Sequence, residues 1–470
     1  MLETDSIQAR RSNGQKAREH VKRSSHAALG NVDRDPIRLL RINSAGRVQA
    51  LIPLRYGRMA ASPFAFFRGA AILQAHDLAG TPHTGISIPI CGDAHLLNFG
   101  GFATPERQLL FDLNDFDETA TGPWEWDIKR LTASLAVAAA HMGYGRGDSA
   151  DIVMAAACEY QLRMNEYAQN STLDVWYEGI TFERMLQDAE TAEGRRLISR
   201  AMEKAAGRTN ESMLHKMAYM EDGHWRIRDA PPAMFHPSGP VTLLGKAEHW
   251  PDTPTWKKKM AKCYAGYLDS LAPDRRELLK HFAAQDVVFK VVGVGSVGTV
   301  CLVMLMVDSW GNPLFLQAKE ARESVIARYA RDRAPAHAGY RVVTGQRLLQ
   351  AASDIFLGWA TGPRGKHYYF RQLRDMKVSA DVESFNQKIL TGYARMCGRA
   401  LARAHAKASG HSVELAAYMG RAGPFAEALL AYAQGYARQN EKDYRRFLEA
   451  CRAGKLPMRT DEDMAADFRV

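Results

Sequence analysis

Cysteine is scarce in this chain: six residues in 470, at Cys91, Cys158, Cys263, Cys301, Cys397 and Cys451, with no Cys-x-x-Cys pair and no tight Cys/His spacing. That pattern argues against a disulfide scaffold and a zinc site, and fits a reducing compartment. Long apolar runs are also lacking. The most apolar segment, Leu131 to Met142, is rich in Ala and too short to cross a bilayer, so it reads as a buried helix. The basic N-terminal stretch, with Arg10, Arg11, Lys16, Arg18, Lys22 and Arg23, lacks the apolar centre of a secretory signal. No compact Lys/Arg run interleaved with aromatics marks a nucleic-acid surface, and no internal repeat is present. The expectation is a soluble cytoplasmic protein with no membrane or nucleic-acid partner.

What is there is ordinary globular material. Hydrophobic residues make up 46%, the length allows two or three domains, and the net charge of +10 favours phosphate-bearing ligands without specifying one. Residues up to about 30 are charged and without periodicity, which predicts disorder, and 35–58 reads as a wrapping arm. Ser62 and Pro63 open a helix as N-cap and first helical residue. Residues 85–90 read as a strand, 148–220 and 253–284 as helical, 225–228 as a short strand after the Asp222-Gly223 turn, 340–352 as a helix, 367–373 as a strand, and the chain after Glu383 as mostly helical.

Two stretches carry chemistry. The first is Cys91-Gly-Asp-Ala-His-Leu-Leu-Asn98, followed by Phe111-Asp-Leu-Asn-Asp-Phe-Asp-Glu118. A carboxylate, an amide five positions on and an acid after a short strand can hold a divalent cation and orient a hydroxyl; the plain alternative is an acidic surface turn. The second is Gly293-Val-Gly-Ser-Val-Gly298, between β-prone 287–292 and 299–307, with a third strand at 314–319. In a dinucleotide fold the last glycine would open a helix, whereas here a strand follows, so the backbone amides would fold over phosphates from above. Lys319, twenty-one residues past Gly298, ends the third strand where a phosphate-pairing lysine would sit. A solvated strand-end lysine is the bland reading.

The acidic stretch resembles the catalytic centre of the protein-kinase-like superfamily, above all its aminoglycoside and choline kinase branch. Gly92-Asp93-Ala94-His95 and Asn98 match that branch's loop, Asp115-Phe116 its metal-binding acid, and Asp127 falls twelve residues after Asp115 as the pattern asks. The whole chain, from Ser62-Pro-Phe-Ala-Phe-Phe-Arg-Gly69 to Tyr432 and Tyr436, looks like the bacterial DUF2252 family of uncharacterised proteins. Three departures stand out. Cys91 replaces the loop's first His; Asp112, Asp115 and Asp117 compete as metal ligand; and the acidic loop precedes the glycine loop by about two hundred residues, the reverse of the usual order. Met396 to His405 looks like the helix that ordinarily precedes the catalytic loop, so the order implies circular permutation.

The resemblance implies an α+β, two-lobed, circularly permuted kinase-like fold. Residues 1–60 would be a partly disordered basic extension, 61–285 a helical lobe with the catalytic loop, 286–375 a glycine-loop β lobe, and 376–470 helices completing the helical lobe. It implies ATP and Mg²⁺ as cofactors, and transfer of phosphate to an unidentified small-molecule or protein hydroxyl. Asp93 and Asn98 would be catalytic, with Asn98, Asp115 and Asp117 at the metal. Gly293, Gly295, Ser296, Gly298 and Lys319 would hold phosphates, and the backbone of Gln372, Leu373 and Arg374 would form the hinge. Lys319 lacks an acid on the next helix, where Thr344, Gln346 and Gln350 stand, so Glu320 or Glu323 would have to replace it. Alternatives are a nucleotide-binding pseudokinase or scaffold, an AMP transferase, and a metallophosphoesterase. The last rests on Asp93-Ala-His95 alone, since that family's later boxes are missing.

Overall fold

Strands of the 282–372 region alternate their side chains between two apolar layers, and this alternation places the larger sheet in the molecule. Leu302, Leu314, Leu316 and Phe370 join Tyr267 and Cys263 of the helix Pro254–Asp269 on one face. Val288, Val303, Leu305 and Phe315 join Met213 and Leu214 of the helix Asn210–Met217 on the other. The computed structural model describes residues 5–238, 242–245, 254–330, 335–373, 376–421 and 423–466. In it the sheet has six antiparallel strands in the spatial order Gly358–Thr361, His367–Gln372, Pro313–Ala321, Cys301–Asp308, Phe282–Lys290 and Met234–Phe235. The helix Ala338–Leu349 connects the third of these to the first and packs back on the sheet. The strand Pro313–Ala321 is buried along its whole length, so Lys319 stands in a central strand.

The helical part has its own core. Glu125–His141 is buried almost throughout, Gln387–Ser409 packs along Arg146–Tyr167, and Pro424–Arg452 lies on Glu125–His141. The architecture is therefore α+β, with small antiparallel sheets and a large helical part. No helix among the described residues is long and apolar enough to cross a membrane.

Local signals were reliable. Ser62 Oγ accepts from the Ala65 amide at 3.0 Å and Pro63 begins the helix Pro63–Gly69. His224–Ile227 pairs with Ala218–Glu221 across Asp222-Gly223, both at positive φ.

Two expectations are corrected. Helix was expected to Ala284, but it breaks into Pro254–Asp269 and Pro273–Leu279, and Phe282 already pairs with Asp308; the β region thus starts before residue 286 (Thr253 lies outside the described residues). The N-terminal segment, expected to be disordered, forms the helix Ile7–His20 on Ser412–Met419. Arg10 pairs with Glu414 at 2.8 Å, while Arg18 and Arg23 bond the Tyr418 and Met419 carbonyls at 2.7 Å each. Those carbonyls lie at a helix C-terminus, where orphan acceptors and the dipole favour cations. Further on, Arg34 bridges Asp77 and Asp443, both at 2.7 Å. The arginines that made this region look unfolded are what dock it.

Candidate functional site

Two short antiparallel strand pairs, one nested in sequence within the other, assemble the acidic half of the site. Ser87–Ile90 pairs with Ala120–Pro123, placing Ile90 opposite Ala120, and Phe99–Ala103 pairs with Leu109–Leu113, placing Phe99 opposite Leu113. The loops 91–98 and 114–119 therefore leave adjacent strand ends and must lie together. The Asn114 amide donates to the Asn98 carbonyl at 2.8 Å, and the Cys91 thiol to the Asp115 carbonyl at 3.2 Å. Phe116, 1% exposed, anchors the second loop. Gly92 has φ +83°, and a Cβ there would sit 2.2 Å from the Glu118 carbonyl oxygen, so only glycine fits.

Asp127 holds the first loop from beneath. Its carboxylate accepts from the Cys91 amide at 2.7 Å and the Gly92 amide at 2.8 Å, and lies 3.2 Å from His405 Nε2. His405 belongs to the helix Gln387–Ser409, which runs beside the strand Ser87–Ile90. Arg130, one turn past Asp127, donates Nε to Asp93 Oδ1 at 2.8 Å, one terminal nitrogen to Gln74 Oε1 at 2.8 Å and the other to the Phe67 carbonyl at 2.9 Å. The orientation of Asp93 is thus set by a buried guanidinium, each of whose three nitrogens makes a hydrogen bond. Burial lifts the Asp93 carboxyl above the usual range, with Arg130 and Arg68 pulling it back. The Asn98 amide nitrogen bonds the Asp93 carbonyl at 2.5 Å, so its side-chain oxygen is the end left for a cation.

The three competing acids have separate partners. Asp112 is fully buried against Arg403 at 2.8 Å and also caps the Ala351 amide, so it is structural. Asp117 is the carboxylate partner of Lys319: it takes the Lys319 ammonium, the Ser296 hydroxyl at 3.0 Å and the Tyr369 hydroxyl at 2.8 Å. Burial opposes its ionisation, but Lys319 outweighs that and holds it below the usual range. Among the described residues the Asp115 carboxylate accepts only from the Asp117 amide, at 3.2 Å, and burial together with the neighbouring Asp117 raises it. Among the three, Asp115 has the most open coordination.

Neither Glu320 nor Glu323 replaces the expected helix acid. Glu320 takes the Val300 amide at 2.9 Å and Lys366 at 3.0 Å, and Glu323 pairs with Arg328 at 3.1 Å. On the helix Ala338–Leu349 it is Arg341 that points inward, bonding the Asp117, Thr119 and Arg322 carbonyls.

Across the cavity, Val294–Ser296 forms a single tight turn between the strands. Asp93, His95, Asn98, Asp115, Asp117, Gly293, Gly295, Ser296 and Lys319 line one cavity of about 310 Å³. Gly298 is set back from it, at φ +84°, giving its carbonyl to the Val48 amide at 2.7 Å. A larger adjoining cleft of about 830 Å³ shares Gly293, Gln317 and Arg371 with the first and reaches Gln372 and Leu373. The amides of those two residues are already bonded, to the Asp354 carboxylate and the Phe315 carbonyl, and Arg374 lies outside the described residues. A base seated here would meet cleft walls such as Val291, Leu314 and Ile355 before it met those two amides.

Sequence reasoning missed Arg130 and Tyr369. The signal for Arg130 was a charged pair, Lys129-Arg130, inside an otherwise apolar helix, where a charge must find a partner. For Tyr369 no local signal existed, because its hydroxyl partner lies 252 positions away.

Among the described residues no group of three or more His, Cys, Asp or Glu side chains gathers around a metal-sized point. An amide oxygen plus one carboxylate is nevertheless a donor set suited to Mg²⁺, which keeps several waters and takes its remaining oxygens from phosphates. Comparisons with curated proteins and with solved structures return no match. The model of one protein family does match, over residues 47–450, and by that extent the chain belongs to the family described as "Uncharacterized protein conserved in bacteria (DUF2252)".

Proposed function

We propose that the chain is an ATP-dependent phosphotransferase of kinase-like, circularly permuted fold, acting on a hydroxyl acceptor. The observation that carries this reading is the convergence of two sequence-distant halves on one cavity. Asp93, Asn98 and Asp115 face Gly295, Ser296 and Lys319, and the Lys319–Asp117 ion pair spans 202 positions. The sheet order supports it as well. A glycine-turn hairpin, a lysine strand, a crossing helix and two further strands, with the last paired to the lysine strand, is by fold analogy the arrangement expected of a kinase-like small lobe. Permutation is supported by His405, since the helix expected just before the catalytic loop ends against that loop's anchor, Asp127.

In this reading Lys319 and the amides around Ser296 hold phosphates, Asn98 and Asp115 hold Mg²⁺, and Asp93 receives the acceptor's hydroxyl proton. ATP supplies the phosphoryl group: the acceptor oxygen bonds the γ-phosphorus as the bond to the β,γ-bridging oxygen breaks and ADP leaves with the electron pair. The protein contributes positioning and charge, which supply most of the catalysis in such transfers. Asp117 orders the phosphate side by tying Lys319, Ser296 and Tyr369 together. Burial raises the affinity of Asp93 for a proton, the direction that favours a general base.

Two measurements test this reading. Mg²⁺-ATP should raise the melting temperature of the wild-type chain, and Asp93→Ala should abolish transfer from γ-labelled ATP while keeping that thermal shift. Undiminished transfer by Asp93→Ala would remove the assigned base; transfer by neither protein with an intact shift would favour the nucleotide-binding scaffold.

A further inference from the structure

Charge at the Asp93 end of the cavity is not balanced. Asp93 is already matched by Arg130, each of whose three nitrogens makes a hydrogen bond. A second guanidinium, Arg68, stands on the same cavity wall from the last turn of the helix Pro63–Gly69, about 5.8 Å above the Phe64 ring. Its Nε is buried and has no hydrogen-bond partner, and no ion pair is made to it among the described residues. The carboxylates that act on it through space are Asp93 and the exposed Glu383, itself 3.7 Å from His141. His95, 5% exposed and lining the cavity, also has a buried ring nitrogen, Nδ1, without a partner.

We propose that Arg68, with His95 beside it, forms an acceptor subsite for a hydroxyl compound that carries a phosphate or carboxylate group. The proposal rests on the phosphotransferase reading and adds the class of its acceptor. Arg68 is half-buried, but its Nε is fully buried and unpartnered, which is costly without an anion, and its planar fork suits a carboxylate or phosphate. A cationic or neutral acceptor would leave it unpaired, and such a gap is a strong discriminator between otherwise similar substrates. Arg68 belongs to the Asp93 end because it lines the same cavity as Asp93 and His95, and the carbonyl of its neighbour Phe67 accepts from Arg130, the residue that holds Asp93 at 2.8 Å. The anion would lie against Arg68 and leave the hydroxyl at Asp93.

The test is titration calorimetry on protein saturated with ADP and Mg²⁺, with sn-glycerol 3-phosphate and glycerate as anionic probes and glycerol and choline as controls. The anionic probes should bind the wild type and the controls should not. Arg68→Gln should weaken the anionic probes about tenfold or more, the loss expected for one charge-assisted hydrogen bond, and Arg68→Lys should recover part of it. The comparison of anions with controls on the wild type needs no variant, so a folding defect in Arg68→Gln cannot decide the result. Equal binding of glycerol or choline, no binding of either anion, or full affinity in a folded Arg68→Gln overturns the inference. A wild type that gives no thermal shift with Mg²⁺-ATP fails earlier, at the phosphotransferase reading, and takes this inference with it.

Discussion

The two sides of the central cavity are built differently. On the acidic side every turn of backbone is tied to a buried group: Asp127 takes two successive amides, Arg130 fixes Asp93, and Arg403 neutralises Asp112. On the glycine side, Gly293 and Gly295 are exposed, and a Cβ at Gly293 would meet nothing within 4 Å. That turn is held by the Ser296–Asp117 bond and, from outside, by the arm at residues 47–58. Arg47 bonds the Val297 carbonyl, Val48 the Gly298 carbonyl and Arg58 the Val292 carbonyl, all between 2.7 and 2.8 Å. The difference separates a rigidly held acidic side from a glycine side free to adjust, as low local packing allows; in the proposed function these would be the reaction side and the phosphate side.

The largest effect should come from breaking the rigid side. Asp127→Ala leaves two buried amides and His405 without their acceptor, and a loss of about 3–5 kcal/mol in unfolding free energy is expected from urea titration. Next is the link between the sides. Lys319→Met leaves Asp117 with only Ser296 and Tyr369, should cost about 3 kcal/mol, and should erase the thermal shift with Mg²⁺-ATP.

Acid should weaken the helical side selectively. His26 is buried against Tyr418, with burial, Lys129 and His83 lowering it to about 3. A histidine held neutral in the fold and protonated when unfolded stabilises above its ordinary value of about 6.5, and the benefit is lost as pH falls from there toward 3. Going from pH 8 to pH 5 should therefore cost about 2 kcal/mol, and His26→Phe should flatten the slope. The smallest change is on the adjustable side: Ser296→Ala removes one hydrogen bond to Asp117, about 1 kcal/mol, and should show as faster amide exchange in residues 293–298. A larger cost there than at Asp127 would invert the comparison.

Legibility followed the range of the interactions. The capped helix at Ser62, the hairpin at Asp222-Gly223 and the three strands around the glycine turn rest on signals a few residues long, and they appear within a few positions of where they were expected. Asp93, Asn98 and Asp115 lie together because the pairing of Ile90 with Ala120 and of Phe99 with Leu113 forces it. The roles of Asp112 and Asp117 were unreadable, since Arg403 and Lys319 arrive from 291 and 202 positions away. The docked N-terminal helix was missed for a related reason, as its partners, the Glu414 carboxylate and the Tyr418 carbonyl, lie 404 and 400 positions away.

The sequence by itself determined which residue types were available: a carboxylate and an amide five apart, a glycine turn, and a lysine on a strand. It also determined the local shapes that present them, because caps, turns and period-two alternation are settled within a few residues. Tertiary structure alone decided which acid meets the lysine, that Arg341 turns inward to bond backbone carbonyls, and that Arg68 Nε has no hydrogen-bond partner among the described residues. Those outcomes depend on charges desolvated together by distant segments, and a buried charge finds its match only when the whole chain has closed around it.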